Sequence, residues 1–268
     1  GFRNGTGASL RDAYLSAAPF PHAHFDDVFP HSIFDAMDKE FPDMPFPGVA
    51  AKRCSHLSKA GWRCIVTKDG GRFKVQNMRE PTMGPTLQGV IAAMKSPAFV
   101  RFLEQLTGIS GLRPDDYNQG SGLHQIFPNG SLQIHADFNR HPVTSLERRV
   151  NVFLYLNDRW DPAWGGHLEL WDRSMKHCVQ RVEPRQNRLV VFSTTDFTYH
   201  GHADPLQCPD HRSRRSIAQY YYSPEPRPAH EVVRGERHKT LYQIRKCASC
   251  QRDECRARKR RRSESPQH

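Results

Sequence analysis

His135 and Asp137 flank a single residue in a stretch, Leu132 to Phe138, where Leu132 and Ile134 alternate with polar neighbours. That alternation predicts a strand. Residues two apart on a strand point to the same side, so an imidazole and a carboxylate are presented together. One more imidazole from a neighbouring strand would complete a two-histidine, one-carboxylate face. Such a donor set suits Fe(II) and leaves the opposite positions open for oxygen and a co-substrate. The sequence Tyr199-His200-Gly201-His202, a short loop beyond the apolar run Leu189–Phe192, supplies two candidates. Spacing alone leaves His200 and His202 both open. Further on, Arg214 and Arg215 precede an apolar strand and fall on opposite faces. One of them should point inward, where a guanidinium is costly without a bound anion and where its planar fork suits a carboxylate.

These residues need a rigid frame, and the chain offers one. Val150–Leu156, His167–Trp171, Arg188–Phe192 and Ser216–Tyr222 read as strands, separated by turn signals at Pro162, Gly165-Gly166 and Pro209-Asp210. Several short strands at this spacing suggest an antiparallel sandwich or jelly roll. Before them, Ile33, Phe34 and Met37 fall at helical spacing between Pro30 and Pro42. Leu87, Val90, Ile91 and Met94 form an apolar stripe. After Ser96-Pro97 a second stripe runs through Phe99, Phe102, Leu103 and Leu106, with Gly108 as the C-cap. Residues 46–80 read as loops with short strands. The expected class is mainly β with helices packed outside the sheet.

The segment from Gly122 to Ser223 resembles the prolyl-hydroxylase-like branch of the 2-oxoglutarate/Fe(II) oxygenases. The resemblance rests on "LQIHADFN", "RRVNVFLYLNDRWDPAWGGHLELWD", "NRLVVFSTTDFTYHGHADPL" and "RSRRSIAQYYY". It implies a double-stranded β-helix, a jelly-roll variant. It implies His135, Asp137 and His200 as ligands of Fe(II), with His200 chosen over His202. It places Arg214 rather than Arg215 on the distal carboxylate of 2-oxoglutarate, Tyr155 against that co-substrate and Leu168 on an apolar wall of its pocket. A tyrosine expected before the first ligand is missing, and Phe127 sits nearest its place. The implied activity is hydroxylation of an unactivated C–H, coupled to decarboxylation of oxoglutarate to succinate, with ascorbate as a candidate reductant. Prolyl or other residues of a protein or peptide are the implied substrate class. A small-molecule or sugar-linked hydroxylase and a catalytically silent jelly-roll binding module are the alternatives. The loops at 46–80, 138–148 and 195–212 carry no readable substrate code.

Other residues receive plainer readings. His202, Asn151, Asn139, Arg140 and Phe127 are candidates for supporting or substrate-facing positions. His124, His141 and His167 read as site-rim or surface residues, and Trp160, Trp164 and Trp171 as packing. The tyrosines at 220–222 read as sheet and core residues, one of which could face the cavity. Domain limits are expected at 1–18 for an N-terminal extension, 19–228 for the oxygenase domain and 229–268 for a tail. Within the oxygenase domain, helices fill 19–120 and the jelly roll 121–223.

The chain of 268 residues carries a net charge of +11, of which +6 lies in 245–268, so the excess belongs to the tail more than to the body. A basic tail suggests a tether to acidic partners or nucleic acid, or a nuclear address. Seven cysteines, an odd number and mostly scattered, argue against a disulfide framework and favour a reducing compartment. Cys247, Cys250 and Cys255, with His238 as a fourth donor, fit no familiar zinc spacing and read as a reduced segment. No stretch approaches the roughly 18–20 apolar residues of a membrane span.

Overall fold

The computed structural model describes residues 7–42, 62–65, 71–233, 236–243 and 245. In chain order its principal elements are α1 (Gly7–Leu15), β1 (His22–Phe25), α2 (His31–Glu40), β2 (Trp62–Ile65), β3 (Gly71–Asn77), α3 (Pro85–Lys95) and α4 (Pro97–Thr107). They continue with β4 (Arg113–Pro114), β5 (Gly122–Ala136), β6 (Glu147–Tyr155), β7 (Leu168–Trp171), β8 (Cys178–Val182), β9 (Leu189–Ser193), β10 (His200–His202), β11 (Arg214–Ser223) and β12 (Leu241–Tyr242). The helices precede most of the strands, as expected. None is long and apolar enough to cross a membrane among the described residues.

The sheet is antiparallel and curls on itself in the order β1-β9-β6-β11-β5-β10-β7-β8. β5 ties the two halves together. Its first part pairs with β11, from Gly122 opposite Ala218 to Ile126 opposite Arg214. Its second part pairs with β10, with His135 opposite His200. Between them Phe127-Pro128-Asn129-Gly130 turns the strand, with Asn129 at φ 61°, a left-handed conformation asparagine tolerates better than most residues. This curled arrangement is the predicted jelly roll.

Alternation along the strands separates helix side from cavity side. On β6, Val150, Val152 and Leu154 join the core under the helices. Phe153 and Tyr155, one residue out of phase, line the internal cavity. α4 forms where its sequence says it should. Ser96 caps it by accepting from Phe99 N, Pro97 begins it, and Gly108 ends it at φ 73°. Its buried stripe of Phe99, Phe102, Leu103 and Leu106 meets the outer face of the sheet in the same core as Leu87, Ile91, Val191 and Ile217. Hydrogen bonds fix the layers to one another. Tyr221 donates to Met94 O at 2.6 Å, and the Tyr14 and Ser193 hydroxyls meet at 2.8 Å.

The structure adds to the sequence reading in three places. α1, within the stretch expected as an extension, packs on α4 and buries Tyr14. β3, in the region read as loops and short strands, is seven residues long and runs along β5. Phe73 and Val75 alternate with Arg72, Lys74 and Gln76 along it; the apolar pair packs in the core under the helices, and Lys74 and Gln76 line the cavity on the other face. Near the C-terminus, β12 pairs with β5 at Ala136 and His135, bringing the start of the tail against the site. Cys178 is disulfide-bonded, and Cys208 is a free buried thiol. Cys247, Cys250, Cys255 and the basic run at 256–262 lie outside the described residues.

Candidate metal centre and adjoining cavity

Ligand atoms of His135, Asp137 and His200 lie within 4.8 Å of one another, and this is the metal-competent group of at least three such side chains found among the described residues. The register of β10 against β5 sets it up. His200 stands opposite His135, whereas His202 stands opposite Leu132 beyond an irregularity in the pairing. Of the two histidines left open by spacing, His200 is the one grouped with His135 and Asp137. β10 can approach so closely because residue 201 is glycine. A Cβ there would stand 2.8 Å from the carbonyl oxygens of Leu132 and Gln133.

The imidazoles are oriented through their far nitrogens. His135 Nδ1 donates to Gln133 O at 2.7 Å, and His200 Nδ1 donates to Thr198 O at 2.8 Å. Each bond fixes the tautomer that leaves Nε2 as a free donor atom for a metal. His135 Nε2 is 3.5 Å from Asp137 Oδ1, and His200 Nε2 is 3.5 Å from Asp137 Oδ2. Burial, then the neighbouring His135, push His200 down to about 4, so its ring is neutral at pH 7. Burial alone would push the Asp137 carboxyl up. Arg148 and then His200 outweigh it and hold Asp137 well below the usual carboxylate range. Two imidazole Nε2 atoms and one carboxylate form a donor set that fits Fe(II).

A buried clamp holds Asp137 in place. Asn151 Nδ2 donates to Asp137 Oδ2 at 2.7 Å, while Asn151 Oδ1 accepts from Arg148 Nε at 2.9 Å. Arg148 Nη2 is 3.2 Å from the same carboxylate oxygen. The Arg148 guanidinium is itself held over Tyr220, 3.5 Å from the ring centroid, and over Phe138 at 4.6 Å. Such outer partners of metal ligands typically carry about 10–100-fold in metal affinity or activity. Asn151→Ala is therefore expected to weaken metal binding by about that factor with the fold intact, as a competition titration against a coloured chelator would register. Unchanged affinity would show that Arg148 alone orients the carboxylate.

The cavity beside this centre is lined by β3, β5, β6, β7, β10 and β11. Arg214 points into it, and its neighbour Arg215 points outward to Asp38, with Nη1 3.2 Å from Oδ1. Arg214 Nε donates to Gly166 O at 2.7 Å and Nη2 donates to the Tyr155 hydroxyl at 3.0 Å. Gly166 sits at φ 72°, and a Cβ there would come within 3.0 Å of the Arg214 side chain. Both the backbone conformation and the close approach call for glycine. Leu168 lines the same cavity.

Several other candidates lie elsewhere. Phe127 does not face the cavity. The bend after Ile126 turns its ring into the core under the helices, and Ile126 lines the wall instead. Asn139 anchors the C-terminal segment, donating to Glu236 O and accepting from His238 N. Arg140 pairs with Glu147 at 2.6 Å. Neither is part of the cavity wall. His238 is already engaged, with Nε2 2.8 Å from Asp196 Oδ1. His124 corrects the rim reading in the other direction, because it is buried and lines the cavity. His202 also lines it, and among the described residues neither of its ring nitrogens has a hydrogen-bond partner.

Sequence reasoning missed Lys74, Gln76 and Arg148 in this site, and Thr240 and Tyr242 from the C-terminal segment. Tyr242 packs 5.6 Å from the His135 ring, centroid to centroid. Of these, Arg148 stands two residues before the apolar run that begins at Val150, and Lys74 and Gln76 occupy the polar phase of an alternating stretch with Phe73 and Val75.

Comparison with known proteins agrees with this geometry. Residues 121–222 match the family model described as the 2OG-Fe(II) oxygenase superfamily. No curated protein matches the chain. Among solved structures, a Pseudomonas putida prolyl-4-hydroxylase superposes with a TM-score of 0.53 at 18% identity, covering 81% of this chain and 98% of that one. A Trichoplax adhaerens prolyl hydroxylase, solved with a hypoxia-inducible-factor oxygen degradation domain peptide fragment, gives 0.54 at 14% identity, covering 81% and 89%. At such identities the superpositions speak for the fold. Residues 121–222, somewhat more than a third of the chain, thus match the 2OG-Fe(II) oxygenase superfamily model, which supports a 2-oxoglutarate- and Fe(II)-dependent dioxygenase, and the chain shares its fold with these two prolyl hydroxylases.

Proposed function

We propose that His135, Asp137 and His200 hold Fe(II), that Arg214, Tyr155 and Leu168 receive 2-oxoglutarate, and that the hydroxylated carbon belongs to a prolyl or other residue of a protein or peptide. The observation that carries this reading is the pair of histidines whose Nδ1 atoms are tied to backbone carbonyls, so that both Nε2 atoms face one carboxylate.

When bound, the iron couples oxidative decarboxylation of oxoglutarate to insertion of an oxygen atom into a C–H bond. The chain's own residues do the rest. Arg214 presents a guanidinium whose neutral partners, Gly166 O and the Tyr155 hydroxyl, leave its charge free for a carboxylate. Leu168 and Ile126 give the cavity apolar walls against the methylene chain of a dicarboxylate. Asn151 and Arg148 keep Asp137 ionised and aimed. On the remaining side, Phe138, Tyr220, Tyr242 and Thr240 line the cavity, a largely aromatic wall of the kind that packs on a compact aliphatic ring. The Trichoplax adhaerens prolyl hydroxylase, similar in fold, was solved in complex with a peptide fragment, which supports a peptide substrate here.

The test is oxoglutarate-coupled turnover of peptide libraries against metabolite pools, read as succinate formation together with the gain of one oxygen by the substrate. Oxidised peptides are expected. Oxidation of metabolites with every peptide untouched would contradict the peptide assignment.

A further inference from the structure

Two cations share one wall of the cavity. Lys74 on β3 and Arg214 on β11 are both paired with Ile126 of β5, from its two sides. Directly paired residues in an antiparallel sheet point to the same face, and all three side chains line the cavity. The next row repeats the pattern, with Gln76 and Ser216 flanking His124.

Neither cation is neutralised. Lys74 is 8% exposed and Arg214 6%. Among the described residues Lys74 has no hydrogen bond or ion pair, and Arg214 bonds only to Gly166 O and the Tyr155 hydroxyl. Asp137 is already committed to Arg148 and Asn151. His124 and His202 are pushed well below their usual range, by burial first and then by Lys74 and Arg214 respectively, so they add no charge. Burial, and then Arg214, lower Lys74 to about 8, which leaves it mainly protonated at neutral pH. Two buried like charges without a counter-ion are unfavourable, and an anion between them would relieve both. The β5 wall offers no alternative polar group at this point, because the Phe127 ring is in the core and Ile126 takes its place.

We infer that Lys74 is a second cation for the co-substrate, holding the distal carboxylate of 2-oxoglutarate between itself and Arg214 across Ile126. The inference rests on the reading of the cavity given above. It assigns Lys74 to the distal carboxylate because Lys74 shares a sheet row with Arg214, whereas the metal ligands lie beyond the bend in β5.

The experiment is calorimetric titration of the full chain, loaded with redox-silent Mn(II), with 2-oxoglutarate and with 2-oxovalerate, which has the same keto-acid end and no distal carboxylate. Lys74→Met is expected to weaken oxoglutarate binding about tenfold or more, the usual effect of losing a hydrogen bond to a charged group. It should leave 2-oxovalerate binding unchanged, and Lys74→Arg should restore most of the oxoglutarate affinity. Equal losses for both ligands in Lys74→Met would show a structural role and overturn the inference. Unchanged oxoglutarate affinity in Lys74→Met, with binding lost in Arg214→Ala, would overturn it while leaving the cavity reading intact. No oxoglutarate binding by the folded, metal-loaded wild type would instead remove the cavity reading itself. Lys74→Gln, closer in polarity, replaces Lys74→Met if the latter fails to fold.

Discussion

His200→Ala yields a protein that retains its fold, loses the bound metal on desalting and consumes no oxoglutarate. The expectation follows from register. His200 stands directly opposite His135 on paired strands, and its Nε2 shares the Asp137 carboxylate. With it gone, one imidazole and one carboxylate remain, short of the facial set that a divalent iron needs. The ring is buried against Phe192, 4.7 Å between centroids, so some stability is lost with it. Circular dichroism and a melting curve separate that loss from misfolding. His202→Ala is the internal control. Its ring lies in the same cavity but opposite Leu132, and the variant should keep its metal. Metal analysis after desalting, with oxoglutarate consumption in parallel, reads both variants. Stoichiometric metal in His200→Ala, or its loss in His202→Ala, would reverse the assignment.

The second large effect is expected at Arg214. Removing one partner of a buried, hydrogen-bonded charge pair costs roughly 2–5 kcal/mol, which is about 30- to 4,000-fold in affinity at 1.4 kcal/mol per decade. Arg214→Ala should lower oxoglutarate affinity within that range while metal binding is unaffected, since Arg214 does not touch Asp137, His135 or His200. Arg214→Lys is expected to recover only part of the loss. It keeps the charge but lacks the fork that bonds to Gly166 O and the Tyr155 hydroxyl together. Arg215→Ala, on the outer face beside Asp38, should bind oxoglutarate as wild type does. Oxoglutarate titrations of the three variants check this ordering. Equal affinities for Arg214→Ala and wild type would remove Arg214 from the co-substrate site.

The central site was legible in the sequence because its information is local. His135 and Asp137 share a face by strand parity, and parity together with the following apolar strand limited the inward arginine to Arg214 or Arg215. Deciding between His200 and His202 needed something non-local. The grouping of His200 with His135 and Asp137 comes from how β10 pairs with β5, where Gly201 lets the strands close up. Lys74 was illegible for the same reason in stronger form. It enters the cavity only because β3 pairs with a strand some fifty residues later; the short alternation of Phe73 and Val75 with polar neighbours marks a strand but not where that strand docks. Phe127 and Ile126 show how fine the limit is. A bend at Pro128-Asn129 exchanges which of two adjacent apolar residues faces the cavity, a backbone event that side-chain patterning does not encode. The helices, by contrast, carried caps, prolines and stripes in their own residues, and α4 ends at Gly108 as its sequence predicts.

Anaerobic titration of the metal-free protein with Fe(II) and then 2-oxoglutarate, followed by visible absorption, tests the central claim most directly. The weak charge-transfer band of an iron–oxoglutarate chelate is expected in wild type and in His202→Ala and is expected to be absent in His135→Ala and His200→Ala. Well-folded, iron-loaded wild type that develops no band on saturation with oxoglutarate would contradict that claim.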